Sequence, residues 1–219
     1  MFDRLLSIVA PHYCCGCGMV GELLCANCKY NIIDEVVATC IVCRHPVGHE
    51  QLCERCIVPY DKAWLVGERR GVLKRLIGLL KFERAKAAEK SLADLLCEVL
   101  PELPPETVVV PIPTAPSHIR ERGYDHMRLI AKRVARTKNL RQQDLLYRVT
   151  NTKQRQATAT KREDQARRAF ATRGTIDSSR PYLLIDDVMT TGATLKYATK
   201  TLRDSGAKQI WIAVLARQI

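Results

Sequence analysis

Between Gly71 and Leu100, apolar residues recur every three or four positions: Val72, Leu73, Leu76, Ile77, Leu79 and Leu80, then Leu92, Leu95 and Leu96. That spacing predicts amphipathic helix in two segments meeting near residues 82–86, closed by Pro101, Pro104 and Pro105. The period then changes. Val108-Val109-Val110-Pro111-Ile112-Pro113 is a short continuous apolar run of the kind a buried parallel strand carries. A helix is expected over 124–137, a strand over 145–149, and a polar, basic stretch over 151–168. A second apolar run, 182–185, stops abruptly at Asp186-Asp187. Residues 194–205 read as a helix ended by Gly206, and 210–215 as a last strand. Strands alternating with helices predict a parallel α/β sheet with flanking helices, and ligands of such sheets bind at the carboxyl ends of the strands.

Residues 1–60 follow another logic. Nine of the ten cysteines precede residue 57, and eight form four Cys-x-x-Cys pairs: Cys14/Cys17, Cys25/Cys28, Cys40/Cys43 and Cys53/Cys56. A two-residue gap lets both thiolates of one knuckle face the same ion, and two knuckles complete a tetrahedral Cys₄ site. Eight ligands therefore make two structural sites. Zinc suits closed sites without redox work, while an iron–sulfur cluster could use the same thiolates. Redox-active pairs would need a thioredoxin-like strand–helix context that is missing here. Short loops close at lower entropic cost, which favours sequential pairing: Cys14, Cys17, Cys25 and Cys28 in one site, Cys40, Cys43, Cys53 and Cys56 in the other. Interleaved pairing remains open at this level. Cys15 reads as a bystander, Cys97 as core, and His45 and His49 as loop residues. With so little apolar material, the metal is expected to supply much of the folding free energy. The boundary falls at Pro59-Tyr60, giving a cysteine-rich module over 1–60 and an α/β domain over 61–219.

Charge sharpens the division. Residues 1–60 hold 4 Lys/Arg against 6 Asp/Glu, whereas residues 118–173 hold 16 basic against 5 acidic residues. A block this basic attracts phosphates, on a small ligand or on nucleic acid. No apolar run reaches the length of about 18 needed to span a bilayer. The apolar start of the chain follows Asp3 and precedes no small-residue cleavage site, so a cytoplasmic protein is expected.

The segment from Leu183 to Leu195, LLIDDVMTTGATL, carries the chemistry. A buried strand delivers Asp186 and Asp187 to its carboxyl end, where they can accept hydrogen bonds from vicinal ribose hydroxyls. Thr190, Thr191, Gly192, Ala193 and Thr194 follow, opening a helix. Backbone N–H groups and hydroxyls there can wrap a phosphate, with the helix dipole favouring the anion. A Walker-type loop is excluded, because no Gly-Lys-Ser/Thr follows.

This stretch resembles the phosphoribosyl-pyrophosphate motif of the type I phosphoribosyltransferases. The whole chain resembles the ComF family, which joins an N-terminal double zinc ribbon to such a domain. The resemblance includes Leu80-Lys81-Phe82, Val110-Pro111-Ile112-Pro113, Arg120-Glu121-Arg122-Gly123-Tyr124, Gln154, Arg162 and Ala169-Phe170. The chain departs from the family at Asp125-His126, where Asn-Gln is usual, and at Gln165, where Asn is usual. The resemblance implies a phosphoribosyl pyrophosphate ligand carrying Mg²⁺, oriented by Asp186 and Asp187. It also implies a pyrophosphate-facing loop over 113–117, Arg120 and Arg122 assisting the leaving group, a mobile flap over 151–168 and a hood formed by 71–100. Two functional classes follow: a transferase of nucleotide metabolism with an unidentified acceptor, or a DNA-uptake factor that meets single-stranded DNA beside a competence helicase.

Overall fold

The protein's structure, a computed structural model, describes residues 12–34, 38–48, 50–83, 87–149 and 169–218. Helix α1 (Ala26–Asp34) lies in the cysteine-rich head. Beyond it come β1 (Lys62–Glu68), α2 (Gly71–Phe82), α3 (Ala88–Val99), β2 (Val108–Pro111), α4 (Pro116–Arg122) and α5 (His126–Thr137). The chain continues through β3 (Arg141–Gln142), β4 (Leu146–Arg148), β5 (Phe170–Thr172), β6 (Pro181–Met189), α6 (Ala193–Asp204) and β7 (Gln209–Arg217).

Five strands form one sheet in the order β1-β7-β6-β2-β3, and every neighbouring pair is parallel. The chain progresses from β2 outward to β3 and, in the opposite direction, from β6 outward to β7. The order therefore reverses between β2 and β6, which is where ligand crevices of doubly wound sheets open.

The period of two along each strand divides the core. Trp64, Val66, Val109, Leu183, Ile185, Trp211, Ala213 and Leu215 face one side, packed against α2, α3 and α5. Ala63, Leu65, Val108, Val110, Tyr182, Leu184, Ile210, Ile212 and Val214 face the other, packed against α6 and the β4–β5 ribbon. The cysteine-rich head straddles the sheet. Leu24 joins the first core, and Ile41, with no exposed surface, joins the second. Arg217, at the end of β7, donates from Nη1 to the Cys40 carbonyl at 3.0 Å. Lys29 on α1 pairs with Glu98 on α3 at 2.5 Å.

The two-segment helical stretch, the strand at 108, the helix to Thr137 and the strand–helix–strand finish all form as the pattern predicts. Two differences have physical causes. β1 escapes the pattern because its buried stretch, Ala63-Trp64-Leu65-Val66, is too short for periodicity to separate strand from helix. The expected strand near 145–149 forms, yet it leaves the parallel sheet and pairs antiparallel with β5. Only three residues separate it from β3, and a parallel neighbour needs a crossover of about a dozen. Among the described residues, no helix is long and apolar enough to cross a membrane.

Candidate functional site

Pro111, the last residue of β2, lies opposite Ile185. β6 continues four residues further, still paired with β7 as far as Met189. Asp186 and Asp187 therefore border an open crevice on the β2 side. Both are nonetheless 8% exposed. Strand alternation sends them to opposite faces, Asp187 with Leu183 and Ile185, Asp186 with Tyr182 and Leu184. The two acids consequently meet different neighbours.

On its face, Asp187 meets cations and donors. Its Oδ2 accepts from His126 Nε2 at 2.5 Å and lies 2.6 Å from Lys81 Nζ on α2. His126 is the first residue of α5, held by its N-cap, Asp125, whose Oδ1 accepts from the Met127 and Arg128 N–H groups at 3.1 and 3.2 Å. The Arg122 guanidinium lies 3.0 Å from His126 Nδ1 and 5.9 Å from the Phe82 ring centroid. Burial alone would push the Asp187 carboxyl up, but the His126 hydrogen bond and the Lys81 ammonium outweigh it and hold it down at about 2. Asp186 has no such partners. Burial, reinforced by the charge of Asp187, pushes its carboxyl up to about 7, against a smaller opposing pull from its own bond to the Asp187 N–H, from Lys81 and from Arg148. Arg148 is fixed at the mouth by its bond to the Pro113 carbonyl at 2.8 Å and by the Phe170 ring beneath it at 5.0 Å.

After Met189 the chain turns through exposed Thr190 and Thr191 to Gly192, which caps α6 in the left-handed region at φ 75°. Any side chain there strains the backbone, so glycine is what lets the helix start immediately. The Ala193 N–H reaches Thr191 Oγ1 at 3.4 Å, and the first-turn N–H groups of α6 have no carbonyl behind them. Free N–H groups at a helix start beside the acidic pair are the kind of donors an anion can use.

Of the other expected site residues, Arg120 is exposed on α4, whereas Arg122 is 8% exposed and committed to His126 and Phe82. Residues 113–115 connect β2 to α4 at the crevice mouth, with Thr114 donating to Asp125 at 2.8 Å. The expected flap at 151–168, with Gln154, Arg162 and Gln165, lies outside the described residues. Its flanks are joined where the Val149 N–H donates to the Ala169 carbonyl at 3.0 Å. Lys81 and Arg148 are site residues that sequence reasoning did not assign. Lys81 carried a signal, since it sits in the Leu80-Lys81-Phe82 segment. His126 stood out only as a departure from the family pattern.

The cysteines assemble sequentially. Cys14, Cys17, Cys25 and Cys28 form one group and Cys40, Cys43, Cys53 and Cys56 the other, with the sulfurs of each within 4.8 Å of one another. The sulfur separations are 3.6 Å for Cys17–Cys25, 3.8 Å for Cys40–Cys56 and 3.5 Å for Cys43–Cys53. A tetrahedron with metal–sulfur bonds of about 2.3 Å has edges of about 3.8 Å, so the thiols present fit a zinc-sized ion. The two knuckles repeat one geometry, with Gly18 and Arg44 donating to the Cys14 and Cys40 carbonyls at 2.9 and 3.0 Å. A side chain at Gly16 would place its Cβ 2.5 Å from Cys28 Sγ, so glycine is required for the ligand's approach. Cys15 and Cys97 pack against the core outside the groups, and His45 is exposed.

A parallel sheet with its order reversed beside an acidic pair, followed by a glycine-capped helix start, defines a phosphoribosyltransferase-type domain, here under two Cys₄ modules. The family model described as the phosphoribosyl transferase domain matches residues 130–219. The chain is 26% identical over 198 residues to competence protein ComFC of Bacillus subtilis, covering 84% of this chain and 80% of that one. It is 27% identical over 223 residues to competence protein F of Haemophilus influenzae, covering 88% and 96%. ComFC of Streptococcus pneumoniae is 26% identical over 204 residues, covering 90% and 82%. The chain is thus similar along most of its length to competence proteins of the ComF type. A solved structure of the allosteric regulatory enzyme of purine biosynthesis is 18% identical over 59% of this chain and 26% of the enzyme, with a TM-score of 0.45, too low a likeness to bear on this chain's chemistry.

The split between the two carboxyls has a measurable consequence for stability. A folded-state value of about 7 for Asp186 means that ionisation costs stability as the pH rises from the unfolded value of about 4 through 7. The depressed Asp187 does the reverse: its contribution is present above pH ~4 and is lost as the pH falls towards 2. In urea denaturation at pH ~8, Asp186→Asn is expected to stabilise the protein by on the order of 2–4 kcal/mol, with the gain shrinking towards pH ~5. Asp187→Asn is expected to cost about 2 kcal/mol at both. Shifts of the same sign for the two variants at pH ~8 contradict the assignment.

Proposed function

We propose that the chain binds phosphoribosyl pyrophosphate, or a related ribose 5-phosphate ligand, in the crevice beside β6 and acts in DNA uptake. One observation carries the reading: two carboxylates at the open end of a buried strand, followed within five residues by a glycine-capped helix start. Asp186 and Asp187 take the ribose hydroxyls, and Thr190, Thr191, Gly192, Ala193 and Thr194 wrap the 5-phosphate. Mg²⁺ rides on the pyrophosphate oxygens and waters rather than on a protein cage. Of the α4 cations, exposed Arg120 assists the leaving group directly and buried Arg122 acts through its contact with His126, while Lys81 and Arg148 add positive charge at the mouth. The link to DNA uptake is supported by the competence proteins that this chain resembles along most of its length. Such work belongs on the cytoplasmic side, with single-stranded DNA and a competence helicase as partners. Both Cys₄ groups hold structural Zn²⁺ in a module over 1–60, and residues 61–219 form the ligand-binding domain.

A second reading, an active transferase with an acceptor, is favoured by a cavity of about 710 Å³ lined by Gly16, Cys28, Gln51, Leu65, Glu68 and Arg217, between the head and the carboxyl ends of β1 and β7. Arg217 pairs with Met189 of β6, so the cavity is one strand from the ribose site. Pyrophosphate release that depends on an added base or amine distinguishes this reading.

Calorimetric titration with phosphoribosyl pyrophosphate and Mg²⁺ is expected to show saturable binding, weakened at least about tenfold in Asp187→Asn. Equal affinity in a cooperatively folded Asp187→Asn variant refutes the site. Elemental analysis is expected to find two zinc equivalents per chain, with Cys17→Ser and Cys43→Ser each removing one; iron, or one equivalent, overturns the metal assignment. Binding of a single-stranded oligonucleotide is expected to fall linearly in log K with log salt, about 0.7 per phosphate contact released. A salt-independent affinity, or none at low ionic strength, removes DNA as a direct partner.

A further inference from the structure

His126 is 4% exposed and touches a charged group through each ring nitrogen. The guanidinium of Arg122, 3.0 Å from Nδ1, can only donate. Nδ1 must therefore offer its lone pair, and the ring hydrogen sits on Nε2, where it is donated to Asp187 Oδ2. Thr114 does not compete. Its hydroxyl is 3.3 Å from Nδ1, but its hydrogen goes to Asp125 Oδ1 at 2.8 Å. That same Asp125 oxygen caps α5 and so fixes where His126 stands. Lys81 also reaches Asp187 Oδ2, yet from a flexible stem with three rotatable donors, so it neutralises the carboxylate without orienting it.

The consequence concerns which carboxylate oxygens remain. Asp187 Oδ2 is taken twice, by His126 and Lys81. Asp186 Oδ1 accepts the Asp187 N–H at 2.9 Å. Among the described residues, Asp187 Oδ1 and Asp186 Oδ2 have no hydrogen-bond partner, one oxygen on each acid. We infer that His126 is the positioning residue of this site: locked by Arg122 as the uncharged Nε2–H tautomer, it holds Asp187 so that one oxygen of each acid is left for a pair of vicinal hydroxyls. This rests on the ribose-phosphate reading above. A glutamine can supply the same polarity, its amide N–H to Asp187 and its carbonyl to Arg122, without titrating. A proton added at Nδ1 would set two donors face to face and expel Arg122. The charged groups facing the ring are Arg122 from α4, Asp187 from β6, Lys81 from α2 through the shared oxygen, and Asp125 from its own helix cap.

The test compares His126→Gln with His126→Leu in the full, zinc-loaded chain, with melting curves and metal content as controls. With phosphoribosyl pyrophosphate and Mg²⁺ as the probe, the Gln variant is expected to bind within about threefold of wild type and the Leu variant roughly tenfold or more weaker. Equal binding by the Leu variant overturns the inference, as does a folded Gln variant as weak as Leu. Should the Leu variant fail to fold, the Gln comparison and the ring spectrum decide. Two-bond ¹⁵N–¹H spectra of the ligand-free chain, with His126 assigned by its loss in the Gln variant, give a ligand-independent readout. The Nε2–H pattern at neutral pH supports the lock, and an Nδ1–H or doubly protonated ring overturns it. If wild type binds no phosphoribosyl pyrophosphate, the ribose-phosphate reading fails, and the spectrum alone then decides the lock.

Discussion

Two adjacent carboxylates emerge from the central strand of the sheet, both buried, and the rest of the site is arranged around what that burial costs. Taking charge out of water is unfavourable unless partners compensate it. Because successive strand residues point to opposite faces, one compensating group cannot serve both acids. Asp187 meets Lys81, His126 and, through the ring, Arg122, and stays ionised. Asp186 meets its neighbour's N–H and, at longer range, Lys81 and Arg148, which do not offset its burial beside Asp187, and its carboxyl rises towards neutrality. The geometry of one strand thus gives two chemically identical side chains different protonation behaviour at one ligand crevice.

The same burial explains why the helices lie where they do. Lys81 is at the end of α2 and His126 at the start of α5, two elements of the first core face. Their termini converge on the carboxyl end of β6 because parallel strands place every following loop at one edge. On the opposite face, the β4–β5 ribbon takes the corresponding place and brings Arg148 to the crevice. Its antiparallel pairing follows from the short link to β3, and it joins the two flanks of the basic stretch beside the acidic pair.

The cysteine-rich head is anchored to both faces rather than appended to one. Leu24 and Ile41 enter different cores, and Arg217 ties the Cys40 carbonyl to the end of β7. A head with so few apolar side chains can draw local order from an ion held by its two Cys₄ groups, and the head covers the ends of β1 and β7. Cys17 and Cys28 of the first Cys₄ group line the cavity between head and sheet. Helices α2 and α3 cover one face and contribute Lys81, whereas the head covers the ends of the neighbouring strands.

The sequence by itself determined the elements with strong local signals. The helices over 71–99 and 126–137 follow from apolar periodicity, β6 and its acidic pair from an apolar run ending in charge, and the two Cys₄ groups from knuckle spacing and loop length. β1 was not legible, because four buried residues carry no period. Tertiary structure alone decided that β4 leaves the sheet, that Arg122 is buried while Arg120 is exposed, and that Lys81, His126 and Arg148 join the acids. The placement of Lys81, His126 and Arg148 depends on contacts across 35 to 106 residues of chain, for which no local pattern exists. Spacing along a strand can place two carboxylates side by side in sequence. Only the packing of helices on each face fixes which of them keeps its charge.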